Sequence, residues 1–312
     1  MKARSLVIAK GNRAVVDLFL INETNKPAGK KLYFYIKDTF GRRTLIGVYS
    51  VPQFQKDIFA YPVADSILTP QLNEEGKYQI SLQMDNKSDV TSYDTLLVID
   101  PSGQAKNINK KIGVSCDDTN FVSSLSKLLP EAHIEKFREN AKYDLLVVSS
   151  VSINNRILQY TEEGTPLLAI PEGENAYLKY AKELGNAGAF KYLGDVGNTR
   201  APWMGSWYFV RKFPVMEGLP VDQAMKSYYQ VPAENTDGIL LNGKGVDVFI
   251  GYGRDHDRNI GAAAFTAHLG KGKILFYTIP GLITGVNNLQ KGMQPVMAQR
   301  LVMNSIKYLL TK

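Results

Sequence analysis

The sequence predicts a β plus α/β chain: an N-terminal immunoglobulin-like antiparallel β-sandwich followed by a flavodoxin-like, doubly wound α/β domain. Three observations predict it. Residues 1 to about 100 hold short β-branched and aromatic runs parted by turn chemistry, with no convincing helical period. From residue 111 the rhythm changes, and apolar strand-like runs alternate with helical segments. Between the two, "DPSGQAKNINK" (100–110) is polar and reads as a linker. The domains are therefore expected at 1–103 and 110–312.

In the first half, strands are expected at "AVVDLFLIN" (14–22), "KLYFYIKDT" (31–39), "TLIGVYSV" (44–51), "KYQISLQMD" (77–85) and "TLLVID" (95–100). Turn residues in "NETNKPAGK", "FGRR" and "NEEGK" punctuate them. Within "YFYIK", Tyr33, Tyr35 and Lys37 share one face while Phe34 and Ile36 share the other. In the second half, "KIGVSC" reads as a strand and "NFVSSLSKLL" (120–129) as a helix, with Asp117 and Asp118 as candidate caps. "HIEKF" (133–137) and "YDLLVVSS" (143–150) are strands, the latter apolar enough to be buried on both faces. A helix over 154–164 stops at Gly164, a strand covers 166–171 and a helix covers 175–186. The pattern is then mixed: "SWYFVRKF", "DGILLNG" (237–243), "GVDVFIGYG" (245–253) and a hairpin over 262–280 turning at Gly270-Lys271-Gly272. The chain ends in an amphipathic helix (295–312), with Val296, Leu301, Ile306, Leu309 and Leu310 near one stripe.

Bulk properties exclude several classes. The chain has 312 residues, a net charge of +7 and a pI near 9.2. Its basic residues are scattered in short groups such as Lys30-Lys31 and Arg42-Arg43, with no long like-charge run and no nucleic-acid motif, so nucleic acid is not an expected partner. No apolar run approaches the length of a membrane span. "SLVIA" near the start is too short for a signal-peptide core, so no signal peptide is expected in this chain. A single cysteine excludes an internal disulfide.

Few constellations carry chemistry. Cys116, at the mouth of a strand–turn–helix unit, reads as a nucleophile or as a small apolar filler. Asp255-His256-Asp257 is locally acidic, but neighbours in sequence seldom converge on one ion and nothing completes the set, so no metal and no cofactor is expected. The Gly251 and Gly253 pair follows a strand but no suitable helix follows it, against a dinucleotide fingerprint. Trp203, Trp207 and Tyr208, close in sequence to Arg200, suit stacking on a sugar ring or packing beneath a loop. His133, His256 and His268 are the only histidines, and none has a spacing that favours a triad.

Two stretches resemble a known family. "KFPVMEGLPVDQAMKSYYQ" (212–230) is similar to the "HP-x-F-x-GLP" segment of the C-terminal, amidotransferase-like (ThuA-like) module of many family 2 glycoside hydrolases of the β-galactosidase kind. Phe213-Pro214 replaces His-Pro, Met216 replaces the aromatic, and Gly218-Leu219-Pro220 is retained. "VDLFLINE" (16–23) resembles the "V-D-V-Y-L-I-N-E" of the sandwich that follows the catalytic barrel in such enzymes. "GKGKILFYTIPGL" and "QPVMAQRLVMNSIKYLL" look like the end of the same module.

The resemblance implies non-catalytic accessory modules. The family's catalytic glutamates sit on an upstream (β/α)8 barrel, so no catalytic residue is carried over. Class I glutamine amidotransferases place a nucleophile in a G-x-C-x-G elbow. Ala169-Ile170-Pro171-Glu172-Gly173 stands there instead, and Pro171 holds the nucleophile position. Where a histidine would follow the late strand, Thr278-Ile279-Pro280-Gly281 stands. The implied partners are an upstream barrel or another subunit, with an oligosaccharide as a further candidate. The implied setting is periplasmic or extracellular. Two rival readings are a stand-alone carbohydrate-binding protein and an active amidotransferase-like hydrolase using Cys116.

Overall fold

The computed structural model describes residues 1–21, 29–53, 58–85, 91–173, 175–196, 206–225, 227–231, 238–254, 259–289 and 292–311. The chain divides into two compact units, Met1–Asp100 and Pro101–Lys312.

The first unit contains β1 (Lys2–Ala3), β2 (Val7–Ala9), β3 (Val15–Ile21), β4 (Lys31–Lys37), β5 (Arg43–Ser50), β6 (Ala60–Leu68), β7 (Gly76–Met84) and β8 (Thr91–Ile99). They form two sheets, ordered β1-β3-β6 and β2-β8-β7-β4-β5. Period-two patterning explains why the sheets stack. In β4, Leu32, Phe34 and Ile36 turn inward with Ile80 and Leu82 of β7, against Val16 and Leu18 of the smaller sheet. The expectation of a purely antiparallel sandwich needs one correction: β2 runs parallel to β8, pairing Val7 with Leu97 and Ala9 with Ile99. The chain crosses between the sheets at Ser5-Leu6, so its first two strands serve different sheets. β6 has no counterpart among the strands expected from sequence. It is an edge strand carrying Pro62 opposite Phe19, and a proline is tolerated only where its missing N–H costs no ladder bond.

The second unit follows as β9 (Lys111–Cys116), α1 (Thr119–Leu128), β10 (His133–Lys136), β11 (Leu145–Ser149), α2 (Asn155–Glu163), β12 (Leu167–Ala169), α3 (Ala176–Asn186) and β13 (Lys191–Asp195). Then come β14 (Ser206–Val210), β15 (Gln223–Ala224), β16 (Ile239–Asn242), β17 (Asp247–Arg254), β18 (Gly261–Leu269), β19 (Gly272–Tyr277), α4 (Leu282–Val286) and α5 (Pro295–Leu310). Strands β10-β9-β11-β12-β19 lie side by side and parallel. The sheet continues antiparallel through β18, β17, β14 and β15, so the doubly wound parallel pattern covers only one half of it. Alternation along buried strands sends Leu146, Val148, Leu167, Ala169, Ile274 and Phe276 to the face covered by α2 and α3. On the opposite face α5 packs on β11, β12 and β19, with α4 beside it and α1 against α4.

Two further expectations change. The 100–110 segment is not a free linker: Gly103–Asn107 forms a 3-10 turn that packs on α5, with Ala105 buried. Nor is α5 a one-striped helix. Arg300, Asn304 and Ser305 are buried along with its apolar residues, because each has a polar partner inside. Ser305 Oγ lies 2.6 Å from Tyr277 Oη. Asn304 Nδ2 donates to Val215 O (2.9 Å) and Glu217 O (2.8 Å). Arg300 Nε donates to Glu217 O at 3.3 Å. A Cβ at Gly218 would stand 2.6 Å from Arg300 Nη2, and one at Gly103 2.5 Å from Nη1, so the guanidinium occupies space that only glycine leaves.

Asn304→Leu is expected to lower the unfolding free energy by about 1–3 kcal/mol, because the buried Val215 carbonyl loses its donor and Glu217 O keeps only the longer bond from Arg300. Urea denaturation measures it; a loss under about 0.5 kcal/mol would show that the loop is held by other means.

Candidate functional site

The parallel strands end together, β9 at Cys116, β11 at Ser149, β12 at Ala169 and β19 at Tyr277. In open α/β sheets a crevice outside these carboxyl ends is the usual ligand site, beside the point where strand order reverses. Here that point lies between β9 and β11. Cys116 and Ser149 are register partners across it. Ser149 Oγ is buried, with the thiol as its polar neighbour and no hydrogen bond of standard geometry. Ser115 Oγ and Ser150 Oγ lie 3.2 Å apart, Ser150 Oγ donates to Ser152 O (2.8 Å), and Tyr180 Oη donates to Ser150 O (2.7 Å). The loop after β11 is thus laced to its own base.

The carboxylates at this edge have separate tasks. Asp118 is the N-cap of α1, accepting from Asn120 N at 2.8 Å, and its other oxygen accepts from Asn287 Nδ2 at 2.8 Å. Asp117, also expected as a cap, instead accepts from Val151 N at 3.1 Å and ties β9 to the loop after β11. Glu172 accepts from Ile283 N at 3.4 Å at the start of α4. Burial pushes its carboxyl above the usual carboxylate range, and the charge of Asp118 acts in the same sense. The backbone N–H groups of Ile283 and Gly281 oppose both. Burial likewise pushes the Cys116 thiol up, which disfavours the thiolate; the Asp118 N–H and the Ser149 hydroxyl oppose it, and the charges of Asp118 and Asp117 add a smaller push upward.

Pro171 is buried two residues beyond β12. The helix that should follow at once begins only at Ala176, after Asn175 in a left-handed conformation (φ 56°). A tight elbow between strand and helix is absent at this position, and proline offers neither nucleophile nor N–H donor. The described histidines lie at the other end of the sheet. His133 begins β10 opposite Lys111, and it meets Glu135 at 3.0 Å; His268 faces Lys273. Each is four or more residues along the strands from the carboxyl edge, on the order of 13 Å or more.

The aromatic group expected from sequence separates. Arg200 and Trp203 lie outside the described residues, as does Asp255-His256-Asp257. Trp207 and Tyr208 alternate on β14 and take opposite faces. Trp207 is half-buried, edge-on to Phe209 at 6.0 Å. Tyr208 is 2% exposed against Tyr252, which removes it from any sugar-stacking role. Tyr229 is buried too, its Oη donating to Pro220 O at 2.6 Å. The Gly218-Leu219-Pro220 segment, by contrast, borders a cavity of about 770 Å³ walled by Phe213, Met216, Leu219 and Val221, a feature that sequence did not announce as a pocket. Among the described residues no three His, Cys, Asp or Glu side chains are grouped to hold a metal, and no helix is long and apolar enough to cross a membrane.

Comparison with known proteins adds little. No protein-family model matches the sequence, and no curated protein matches it. One solved structure with a detectable likeness is a family 39 glycoside hydrolase from the gut symbiont Bacteroides cellulosilyticus. The identity is 11% and the TM-score 0.20, over 60% of this chain and 41% of that one. The match thus spans less than half the length of that chain, and at this TM-score it supports no argument about fold or activity.

The half-buried Glu172 sets a pH dependence. Its raised folded-state pKa means that folding favours the protonated acid, so its contribution is fully present below the unfolded value of 4.5 and is lost as pH rises through the folded value. Glu172→Gln is therefore expected to raise Tm relative to the parent at about pH 7 and to lose that advantage at about pH 4. An unchanged difference between the two pH values in thermal melts would contradict the assignment.

Proposed function

We propose that this chain is a pair of non-catalytic accessory modules of a carbohydrate-degrading enzyme of the family 2 glycoside hydrolase, β-galactosidase-like type. In this reading the first unit is an immunoglobulin-like sandwich. The order β1-β3-β6 against β8-β7-β4-β5 supports it, corresponding to strands A-B-E against G-F-C-C′. The second unit is flavodoxin-like and amidotransferase-like. The parallel order β10-β9-β11-β12-β19, which reads 2-1-3-4 and then the last strand, supports that. The modules hold or border a catalytic barrel or another subunit, in a periplasmic or extracellular setting.

One observation carries the non-catalytic part. At the carboxyl edge, where this fold type builds its chemistry, the elbow position is a buried proline, and burial pushes the one thiol above its ordinary pKa. A nucleophile needs the opposite surroundings, with a nearby base or cation that favours its ionised form. The described histidines lie at the far end of the strands.

Iodoacetamide labelling tests it. Cys116 is expected to react in the folded chain at least about tenfold more slowly than in the urea-unfolded chain, with an apparent pKa above the ordinary ~8.5. Fast labelling near neutral pH would restore the hydrolase reading. The accessory assignment has its own test in the reading frame upstream of Met1, where an in-frame (β/α)8 barrel is expected; an unrelated upstream gene would count against it.

A further inference from the structure

The outward face of the five-stranded sheet in the first unit is built unlike an ordinary solvated face. Alternation leaves Tyr33, Tyr35 and Lys37 of β4 on this side, opposite Gln83, Ser81 and Gln79 of β7. Tyr93 of β8 stands opposite Ser81 and is 70% exposed. Arg43 of β5 stands opposite Lys37. Its guanidinium lies over the Tyr35 ring, 3.6 Å from the centroid, and its Nη2 donates to Gln83 Oε1 at 2.6 Å. Ring and amide together fix the plane of an exposed cation, while Gln83 takes only one of its five N–H donors. A guanidinium held this way loses little freedom when it meets a carboxylate.

The face is rich in cations. Lys37, Arg43 and Lys77 all stand on it, and Asp85, beside Lys31 at its end, is taken up by the Lys31 N–H at 2.9 Å and by Lys30 at 3.0 Å. Asp94 pairs with the inward Ile80 and so belongs to the other side. Asp38, at the adjoining turn, is taken up by the N–H groups of Phe40 and Arg42 and by the Arg42 side chain. Leu45 and Val48 of β5, the register partners of Tyr35 and Tyr33, add aliphatic surface to the face and are 48% and 46% exposed. The face thus sets Tyr33, Tyr35 and Tyr93 beside a fixed donor for anions, Arg43. Tyr93 and Tyr35 sit two strands apart, about 10 Å, so an occupant must be extended.

We propose that this face binds an acidic oligosaccharide, a chain of uronate sugars, with a sugar carboxylate on Arg43 and Lys37 and pyranose faces against Tyr93 and Tyr33. Negative charge, flat apolar ring faces and peripheral hydroxyls match the guanidinium, the phenol rings and the glutamine amides in turn. The site lies within the first unit, and its existence does not depend on the accessory-module reading.

Calorimetric titration of the full chain with tetragalacturonate tests it, with cellotetraose as the neutral control and a short single-stranded DNA as the unrelated polyanion. Tetragalacturonate is expected to bind at least about tenfold more tightly than either, and to weaken as salt rises from about 0.02 to 0.3 M. Arg43→Ala and Tyr93→Ala are each expected to weaken it by about tenfold, with Arg43→Lys intermediate, because lysine keeps the charge but not the fork. Both side chains are exposed, so the variants are expected to keep the parent Tm. Lys10→Ala, just past edge strand β2 at the opposite side of the sheet from Arg43 on β5, is expected to change nothing. Absence of binding, equal affinity for cellotetraose or DNA, or an Arg43→Ala effect no larger than that of Lys10→Ala would each overturn the proposal.

Discussion

Asn304 and Arg300, buried on α5, organise three separate parts of the second unit. From one helix they supply donors to the carbonyls of Val215 and Glu217, and their neighbour Ser305 meets Tyr277 on the central sheet. A buried amide or guanidinium is tolerated only when such partners are in place, so the 214–220 loop cannot drift without leaving polar groups stranded. Gly103 (φ 53°) and Gly218 (φ 73°) take left-handed backbone that favours glycine, and the same guanidinium lies against both. The Gly218-Leu219-Pro220 segment is therefore explained by packing: Gly218 makes room for Arg300, Leu219 is buried, and Pro220 offers its carbonyl to Tyr229.

At the carboxyl edge the acidic groups serve stability. Each carboxylate there holds backbone or an amide: Asp117 the loop after β11, Asp118 the start of α1 and Asn287, Glu172 the start of α4. These are the ties of a scaffold. Chemistry at such an edge would need a cation or a base facing the thiol, and the charges beside Cys116 are negative.

Much of this was legible along the chain. Strands such as Leu145–Ser149 and Leu32–Phe34–Ile36 announce themselves through continuous or alternating apolar residues, and Asn154 and Gly164 bracket α2 by cap chemistry. Other elements were not. β6 hides behind a proline and polar residues because an edge strand buries only part of one side. The aromatic group at 203–208 looked like one cluster, yet neighbours on a strand point to opposite faces, so Trp207 and Tyr208 part company. Asp117 and Asp118 looked alike as caps, and only the position of Val151 separates them.

What the sequence by itself determined is what short-range physics controls: the change of period near residue 111, the placing of most strands and helices, and the absence of a nucleophile at position 171. Periodicity and residue chemistry are local, so they survive being read in one dimension. What only the tertiary structure decided is which distant groups meet. Arg43 lies on Tyr35, which its own hairpin brings round to it, and reaches Gln83 from forty residues away. Asn304 reaches Glu217 across eighty-seven. Such pairings depend on strand order, register and helix packing, which long-range burial selects and no local pattern encodes.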